Sequence, residues 1–242
     1  LSVDQLAATT QAVFLTLPDA VAATVGPDLV ARGVRVFDLS GTFRLRDAAQ
    51  RHRWYPAVPD FDEPVVYGLP EHYRADLPTA RLVACPGCYP TAAVLALRPL
   101  CDADLLEGDV VVDAKSGISG AGKRPTERTH FSECHGSVAA YGVLAHRHGV
   151  EIEQELDRPV TFTPHLVPLD RGIFETIYVR TRTGVGATDI ADTLERAYAD
   201  APFVRLTGDA LPEIKHVTHT NLCDIGWKHD PTSRRLVMVA CL

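Results

Sequence analysis

An α/β fold is predicted for this 242-residue chain by three observations. Short apolar runs rich in Val, Leu and Phe end in turn-forming residues, as buried parallel strands do. Helical stretches lie between them, which is the pattern of βαβ units. The composition, 46% hydrophobic and 23% charged, is that of a globular protein able to bury a sizeable core in one large domain or two small ones.

The elements follow in order. Ala12 to Pro18 and Val34 to Ser40 read as strands, and Asp19 to Arg32 reads as a helix between them. Pro27 should break that helix in two, and Gly33 fits its C-terminal cap. From Arg44 to Tyr73 the residues are Pro, Asp, Arg and aromatics without a period, which predicts a long ordered excursion. Arg81 to Gly87 is a strand, and from Thr91 the pattern turns helical. Gly108 to Gly117 is a strand running into a glycine-rich loop, and Gly172 to Thr183 is another strand. Ala187 to Asp200 is an amphipathic helix with Ile190, Leu194, Ala197 and Tyr198 on one face and Thr188 as N-cap. Cys223 to Leu242 closes as strand, turn, strand around Asp230-Pro231. There is no internal repeat.

A net charge of −7 argues against nucleic acid as a partner. No apolar run approaches the roughly 20 residues that span a bilayer, and the opening LSVDQLAATTQ is not a signal peptide. Six cysteines without the density of a disulfide scaffold suit a reducing compartment, so a cytoplasmic location is expected. The chain starts without Met in ordinary globular sequence and stops within an apolar strand, as a fragment would.

Four segments could carry chemistry. In RLVACPGCYPTAAVLALRPL, Cys88 follows a Pro-Gly turn and precedes a helical run with Pro90 in its first turn. Unpaired N–H groups and the helix dipole stabilise a thiolate there, at the strand ends where α/β sheets bind ligands. Cys85 and Cys88 also form a Cys-X-X-Cys pair, so redox, zinc and plain structural roles stay open. Zinc lacks a matching second pair of ligands. In AHRHGVEIEQEL, His146 or His148 could serve as acid/base, both could cap a charged surface helix, or they could ligate a metal, for which no clear third ligand is in sight. The small residues of DAKSGISGAGKRP let a backbone approach a ligand, without matching the Walker or Gly-x-Gly-x-x-Gly spacing. Ser40 and Arg44 in DLSGTFRLRD could grip a phosphate or carboxylate, as could any arginine-bearing loop.

Together these pieces stop looking generic. PGCYPTAA, AKSGISGAG, AYGV followed by HRH and EIEQEL, FTPHLVPLDRGI and TNLCDIG occur in one order over nearly the whole chain. The run resembles the N-acetyl-gamma-glutamyl-phosphate reductases of arginine biosynthesis, and DLSGTFRLRD is similar to that family's DLSADFRL segment. The resemblance implies a Rossmann-type NADP domain followed by a mixed-sheet α+β catalytic and dimerisation domain, hence a homo-oligomer, dimer or tetramer. The expected boundaries are 1–87 for a partial NADP domain, 88–220 for the catalytic domain and 221–242 for a segment returning toward the first.

It further implies roles. Cys88 matches the nucleophile, and His146 the acid/base with His148 as neighbour or substitute. Ser40, Arg44, Arg147 and Glu151 fall on the substrate side; Ser119, Gly120, Ala121, Asn221 and Pro18 fall on the NADP(H) side; no metal is implied. Cys88 would attack the acyl phosphate of the small-molecule substrate and expel phosphate. NADPH would reduce the thioester, a protonated His146 would donate to the tetrahedral oxyanion, and neutral imidazole would assist its collapse to the semialdehyde.

Departures and rivals complete the reading. Cys85 stands where relatives often carry another residue and receives no role. TLPDA replaces the usual ALPHG, placing Asp19 where a cofactor-contacting His is common, and Gly149-Val150 replaces Thr-Pro. The glycine-rich phosphate loop would precede Leu1 and a KGAAGQA-type segment would follow Leu242, so weak or no NADPH binding is expected of these residues alone. The rivals are an aminoadipyl-type reductase of lysine biosynthesis, an aspartyl-phosphate reductase, a non-catalytic module and a zinc or dithiol protein. The aspartyl case is disfavoured because Leu169 to Phe174 contains no histidine.

Overall fold

The computed structural model describes residues 2–59, 62 and 64–242, which form two compact units, Leu1–Gly87 and Cys88–Leu242.

The first unit is a four-stranded parallel sheet. In chain order it contains α1 (Val3–Thr9), β1 (Ala12–Leu15), α2 (Asp19–Ala31), β2 (Arg35–Asp38), α3 (Ala48–Trp54), β3 (Val65–Tyr67), α4 (Pro70–Tyr73) and β4 (Leu82–Ala84). The strands lie in the order β1-β2-β4-β3. Their apolar runs bury Leu15, Val36, Leu82 and Ala84 against Leu29 and Val30 of α2 and Phe43. This burial is what makes the short runs strands rather than loops, because period alone does not distinguish them.

Two expectations change here. α2 runs unbroken through Pro27. Proline removes one backbone bond, but Gly26, Leu29 and Val30 around it are buried, and that packing holds the helix together. Gly33 adopts φ +90° just past the helix, as a cap glycine does. The 44–73 excursion contains α3, β3 and α4, whose lengths are too short to show a period; residues 60, 61 and 63 of that stretch lie outside the described residues. α3 is nucleated by Asp47, whose carboxylate accepts from the Gln50 N–H at 2.8 Å.

The second unit contains α5 (Cys88–Asp102), β5 (Leu106–Ser116), α6 (Phe131–Cys134), β6 (Ala139–Ala140), α7 (Arg147–Leu156), β7 (Val160–Leu166), β8 (Ile173–Thr181), α8 (Ala187–Tyr198), β9 (Val204–Gly208), β10 (Cys223–Asp230) and β11 (Arg235–Cys241). Its seven-stranded sheet has the order β6-β7-β5-β8-β11-β10-β9. β5 pairs parallel with β7 and β9 with β10, while the remaining pairs are antiparallel. Residues 221–242, expected to lead back toward the first domain, supply β10 and β11 of this sheet.

α5 is the central helix, with Ala92, Ala93, Val94, Ala96, Leu97 and Leu100 fully buried, and it packs on α7, α8, β8 and β11. α8 buries Ile190, Leu194 and Tyr198, whereas Ala197 is exposed. Its N-cap is Gly186 rather than Thr188, because Asp189 reaches back to the Gly186 N–H at 2.7 Å. β8 alternates cleanly, with Ile173, Glu175, Ile177, Val179 and Thr181 buried. Glu175 is the anomaly in that row, and its carboxyl oxygens have no hydrogen-bond partner among the described residues. Burial pushes its pKa well up, opposed by Lys115. Among the described residues no helix is long and apolar enough to cross a membrane.

Candidate active site

The candidate site of the second unit begins at Cys88, the exposed first residue of the fifteen-residue α5. A strand-turn-helix junction puts it there, with Pro90 inside the first turn, where a missing N–H is harmless. Its sulfur therefore lies at the positive end of the helix.

Cys88 lines a cleft of about 640 Å³ together with Ser116, Ser119, Gly120, Arg171 and Asn221. The walls come from the end of β5, the turn Ile118–Ala121, and the stretches at 171–173 and 217–221. The Ile118 N–H donates to the Leu169 carbonyl at 2.7 Å, and the Ser119 N–H to that of Asp170 at 3.2 Å, fixing the turn. A Cβ on Gly120 would come within 2.4 Å of Ser116 Oγ, so Gly120 leaves room for that hydroxyl, which donates to the Gly117 carbonyl at 2.9 Å. Ala121 belongs to the same turn. The lining side chains include hydroxyls, an amide, the Cys88 thiol, the His219 imidazole and one guanidinium, with no Asp or Glu, which suits a polar ring with an anionic tail such as a nicotinamide nucleotide.

His146 is the N-cap of α7, and its Nδ1 accepts the His148 backbone N–H at 3.1 Å. Four rings meet it edge-on: Tyr89 at 6.1 Å, Tyr141 at 5.6 Å, Phe162 at 5.4 Å and His148 at 4.7 Å between centroids. That enclosure pulls its pKa down to about 4, with a smaller contribution from the adjacent Arg147. Desolvation penalises the cation, so the enclosure favours the neutral imidazole. His148 is buried beside Tyr89, at 5.8 Å between rings.

Arg147 is exposed in the first turn of α7, whereas Glu151 is fully buried on its inner face. Residue spacing alone made them look equivalent. Tyr89 and Tyr141 share a hydrogen bond at 3.1 Å between hydroxyls, and Tyr89 also reaches the His165 carbonyl at 3.4 Å. Burial raises both phenols, and the charge of Cys88 adds to the rise. Sequence reasoning passed over Tyr89, Tyr141, Ser116 and Arg171. Tyr89 adjoins Cys88, and Tyr141 lies in the AYGV segment, so position held a signal for those two.

The remaining candidates belong to the first unit. Pro18 is the exposed N-cap of α2. The buried Arg44 donates from Nε to the Cys85 carbonyl at 2.8 Å and from Nη2 to that of Leu39 at 2.9 Å. Ser40 donates to Asp38 Oδ2 at 2.6 Å and lies 2.8 Å from the Thr42 hydroxyl. Asp19 accepts the Gly41 N–H at 2.9 Å, so the residue that departs from the family pattern ties α2 to this loop. Burial pushes up the Cys85 thiol, helped by Asp38 and opposed by Arg44. All six cysteines are thiols, and among the described residues no group of three or more His, Cys, Asp and Glu is placed to hold a metal.

Known proteins bear on this geometry. A family described as "Semialdehyde dehydrogenase, NAD binding domain" matches residues 2–80, and "Semialdehyde dehydrogenase, dimerisation domain" matches 88–242. The chain is 45% identical to an N-acetyl-gamma-glutamyl-phosphate reductase of Akkermansia muciniphila, over 98% of this chain and 72% of that protein. It is 41% identical to one from Dehalococcoides mccartyi, over 95% and 70%, and 40% identical to one from a Geobacillus strain, over 100% and 73%. The fold is similar to that of aspartate semialdehyde dehydrogenase II from Vibrio cholerae, with a TM-score of 0.74 and 17% identity over 97% of this chain and 75% of that one. With an exposed cysteine at a helix start beside a polar cleft and relatives of this closeness, the chain belongs to the N-acetyl-gamma-glutamyl-phosphate reductase family, built from semialdehyde dehydrogenase domains.

Proposed function

We infer that this chain carries the reduction of N-acetyl-L-glutamyl 5-phosphate to N-acetyl-L-glutamate 5-semialdehyde and phosphate, the step of arginine biosynthesis its relatives are named for. The enzyme is an NAD(P)-dependent oxidoreductase, and NADP(H) is the cofactor we assign. The observation that carries the reading is Cys88 at the start of α5, exposed to the cleft that Ser119, Gly120 and Asn221 also line.

Cys88 opens the reaction. Its thiolate, stabilised by the helix N-terminus, forms a C–S bond to the acyl carbon, and the C–O bond to phosphate breaks with the electron pair leaving on phosphate. The resulting thioester accepts the hydride that the cofactor supplies when bound. Release then needs only groups of this chain. The tetrahedral oxygen re-forms its carbonyl, the C–S bond breaks and the Cys88 thiolate returns. His146 is the group that meets the oxygen bearing charge in these steps.

Ser119, Gly120, Ala121 and Asn221 hold the nicotinamide end, and within the first unit Pro18 is the residue we assign to cofactor binding. On the substrate side, exposed Arg147 offers its guanidinium to an anionic group. Glu151 acts from inside α7 as a positioning residue, with His148 beside it. Ser40 and Arg44 belong to the phosphate loop, which Arg44 braces through its two carbonyl partners. The unit beginning at Cys88 supports a homo-oligomer, dimer or tetramer, and the enzyme works in the cytoplasm.

Phosphate-dependent reduction of NADP+ with N-acetylglutamate semialdehyde, run at NADP+ concentrations high enough to offset the weak binding expected of these residues alone, tests the assignment. Turnover with that substrate, lost in Cys88→Ser, is expected. Preference for the aminoadipyl or aspartyl semialdehyde would overturn the substrate, and equal rates in Cys88→Ser would overturn the nucleophile.

A further inference from the structure

The turn at 217–220 holds a residue in a conformation its type does not favour. His219 has φ +65°, in the left-handed region that glycine enters freely and an L side chain only at a cost. It is the third residue of a four-residue turn, closed by the Thr220 N–H donating to the Val217 carbonyl at 3.0 Å. The surroundings enforce that shape. Val217 is sealed into an apolar cluster with Val239 and Cys241, and the Thr218 hydroxyl donates to the Ile214 carbonyl at 2.8 Å. The Thr220 hydroxyl donates to the Val217 carbonyl at 2.6 Å and accepts the Leu222 N–H at 3.1 Å. Backbone strain that packing holds in place at the wall of a binding cleft points to function.

What the turn displays is an imidazole. His219 is exposed and lines the same cleft as Cys88. Arg171 lines it too, also exposed, and its guanidinium has no hydrogen-bond or ion-pair partner among the described residues. The two walls are tied together. Gly172 has φ +101°, and a Cβ there would come within 2.6 Å of Ile214 Cγ1. Ile214 is also the residue whose carbonyl anchors Thr218, so the stretch bearing Arg171 packs on the segment that leads to His219.

The other polar groups of the cleft narrow the choice of donors. The hydroxyls of Thr218, Thr220 and Ser116 are committed to the carbonyls of Ile214, Val217 and Gly117. A hydroxyl that donates inward has only lone pairs left for a ligand. Arg171 and His219 still offer a guanidinium fork and a ring N–H, no Asp or Glu lines the cleft among the described residues, and the positive end of α5 opens into it at Cys88. We propose that Arg171 and His219 form a phosphate-binding subsite in the Cys88 cleft. Two sources share that chemistry, the phosphate carried by the acyl substrate and the phosphate of a nicotinamide nucleotide. This rests on the reading of the Cys88 cleft given above and adds where the anion is held. Arg44, whose guanidinium is taken up by two carbonyls, braces its own loop instead.

The chain as it stands is titrated with inorganic phosphate at constant ionic strength, read by the ³¹P linewidth. Saturable broadening is expected, weakened about 10-fold or more in Arg171→Gln and in His219→Asn, since each removes a donor to a charged group. Glycine and asparagine both suit φ +65°, so His219→Gly and His219→Asn should unfold no earlier than the wild type while losing phosphate. A merely structural histidine would not give that split. Iodoacetamide labelling of Cys88 locates the subsite, because bound phosphate should slow it in the wild type and not in the variants. Nicotinamide mononucleotide and nicotinamide riboside separate the sources. Stronger protection by the mononucleotide, lost in the variants, assigns the subsite to the cofactor; equal protection by the two, with inorganic phosphate still protecting, assigns it to the substrate. Absent broadening, or broadening unchanged in either variant, overturns the proposal, as does phosphate that binds without slowing the labelling. Wild-type Cys88 labelled no faster than Cys85 would count against the nucleophile, and the ³¹P titration would still decide the subsite.

Discussion

Two strand-end regions of this molecule carry the same kinds of residue and use them in opposite ways. The loop after β2 in the first unit holds Asp38, Ser40, Thr42 and Arg44, all buried and hydrogen-bonded to one another or to nearby backbone. The cleft at the start of α5 in the second unit holds Cys88, Ser119 and Asn221, all exposed. An arginine engaged by carbonyls stiffens a loop, whereas a thiol exposed at a helix end can meet a ligand. Residue type says what a group can do; the direction of its hydrogen bonds says whether it is available.

The contrast can be broken most sharply at Cys88. Cys88→Ser should lower turnover by about 10³-fold or more while the thermal transition stays within a few degrees, because an exposed helix-start residue packs little. A proportionate loss of both would place Cys88 with the structural loop instead.

Arg44→Met tests the other side. Stranding the carbonyls of Leu39 and Cys85 should cost about 2–4 kcal/mol in urea unfolding, since hydrogen bonds from charged groups are worth about 1.5–3 kcal/mol each. Unchanged stability with a raised KM would mean that Arg44 serves the substrate alone.

Glu175→Met asks whether every buried polar group has such a purpose. Replacing an unsatisfied carboxyl by an apolar side chain of similar size should stabilise the chain by about 1–3 kcal/mol at neutral pH. The sign follows from the raised folded pKa. Glu175 contributes most below its unfolded value near 4.5, and that contribution is lost as pH rises through the folded pKa, so the variant's advantage should shrink toward pH 4. An advantage independent of pH would remove ionisation as its source.

The smallest effect is expected at Cys85. Cys85→Ser should alter stability by about 1 kcal/mol at most and leave turnover within about twofold. Iodoacetamide at pH 7 should label Cys88 far faster, because burial and Asp38 hold the Cys85 thiol protonated. Equal labelling would revive the dithiol reading.

Much of the fold was legible in the sequence, for reasons that differ by element. β1, β2, β4, β5 and β8 are apolar runs bounded by turn residues, and α8 has a full amphipathic period, so pattern alone places them. β3, β6 and α4 have four residues or fewer, too few for any period to emerge. β7 alternates apolar and polar residues, with Phe162, Pro164 and Leu166 turned inward, but Pro164 inside the run argues against a strand when read from sequence. α2 survives Pro27 because packing supplies what the lost backbone bond does not.

The site divides the same way. Cys88 at a helix start and His146 before a helix are local facts, written in the Pro-Gly turn and in the residues that follow. They, and the family to which the motif order points, are what the sequence determined by itself. Only the tertiary structure decided that Glu151 is sealed inside while its neighbour Arg147 is exposed, that Arg44 is held by two carbonyls, and that Tyr89, Tyr141 and Phe162 close around His146. Desolvation and hydrogen-bond direction depend on which distant segments meet, and no local stretch of sequence carries that information.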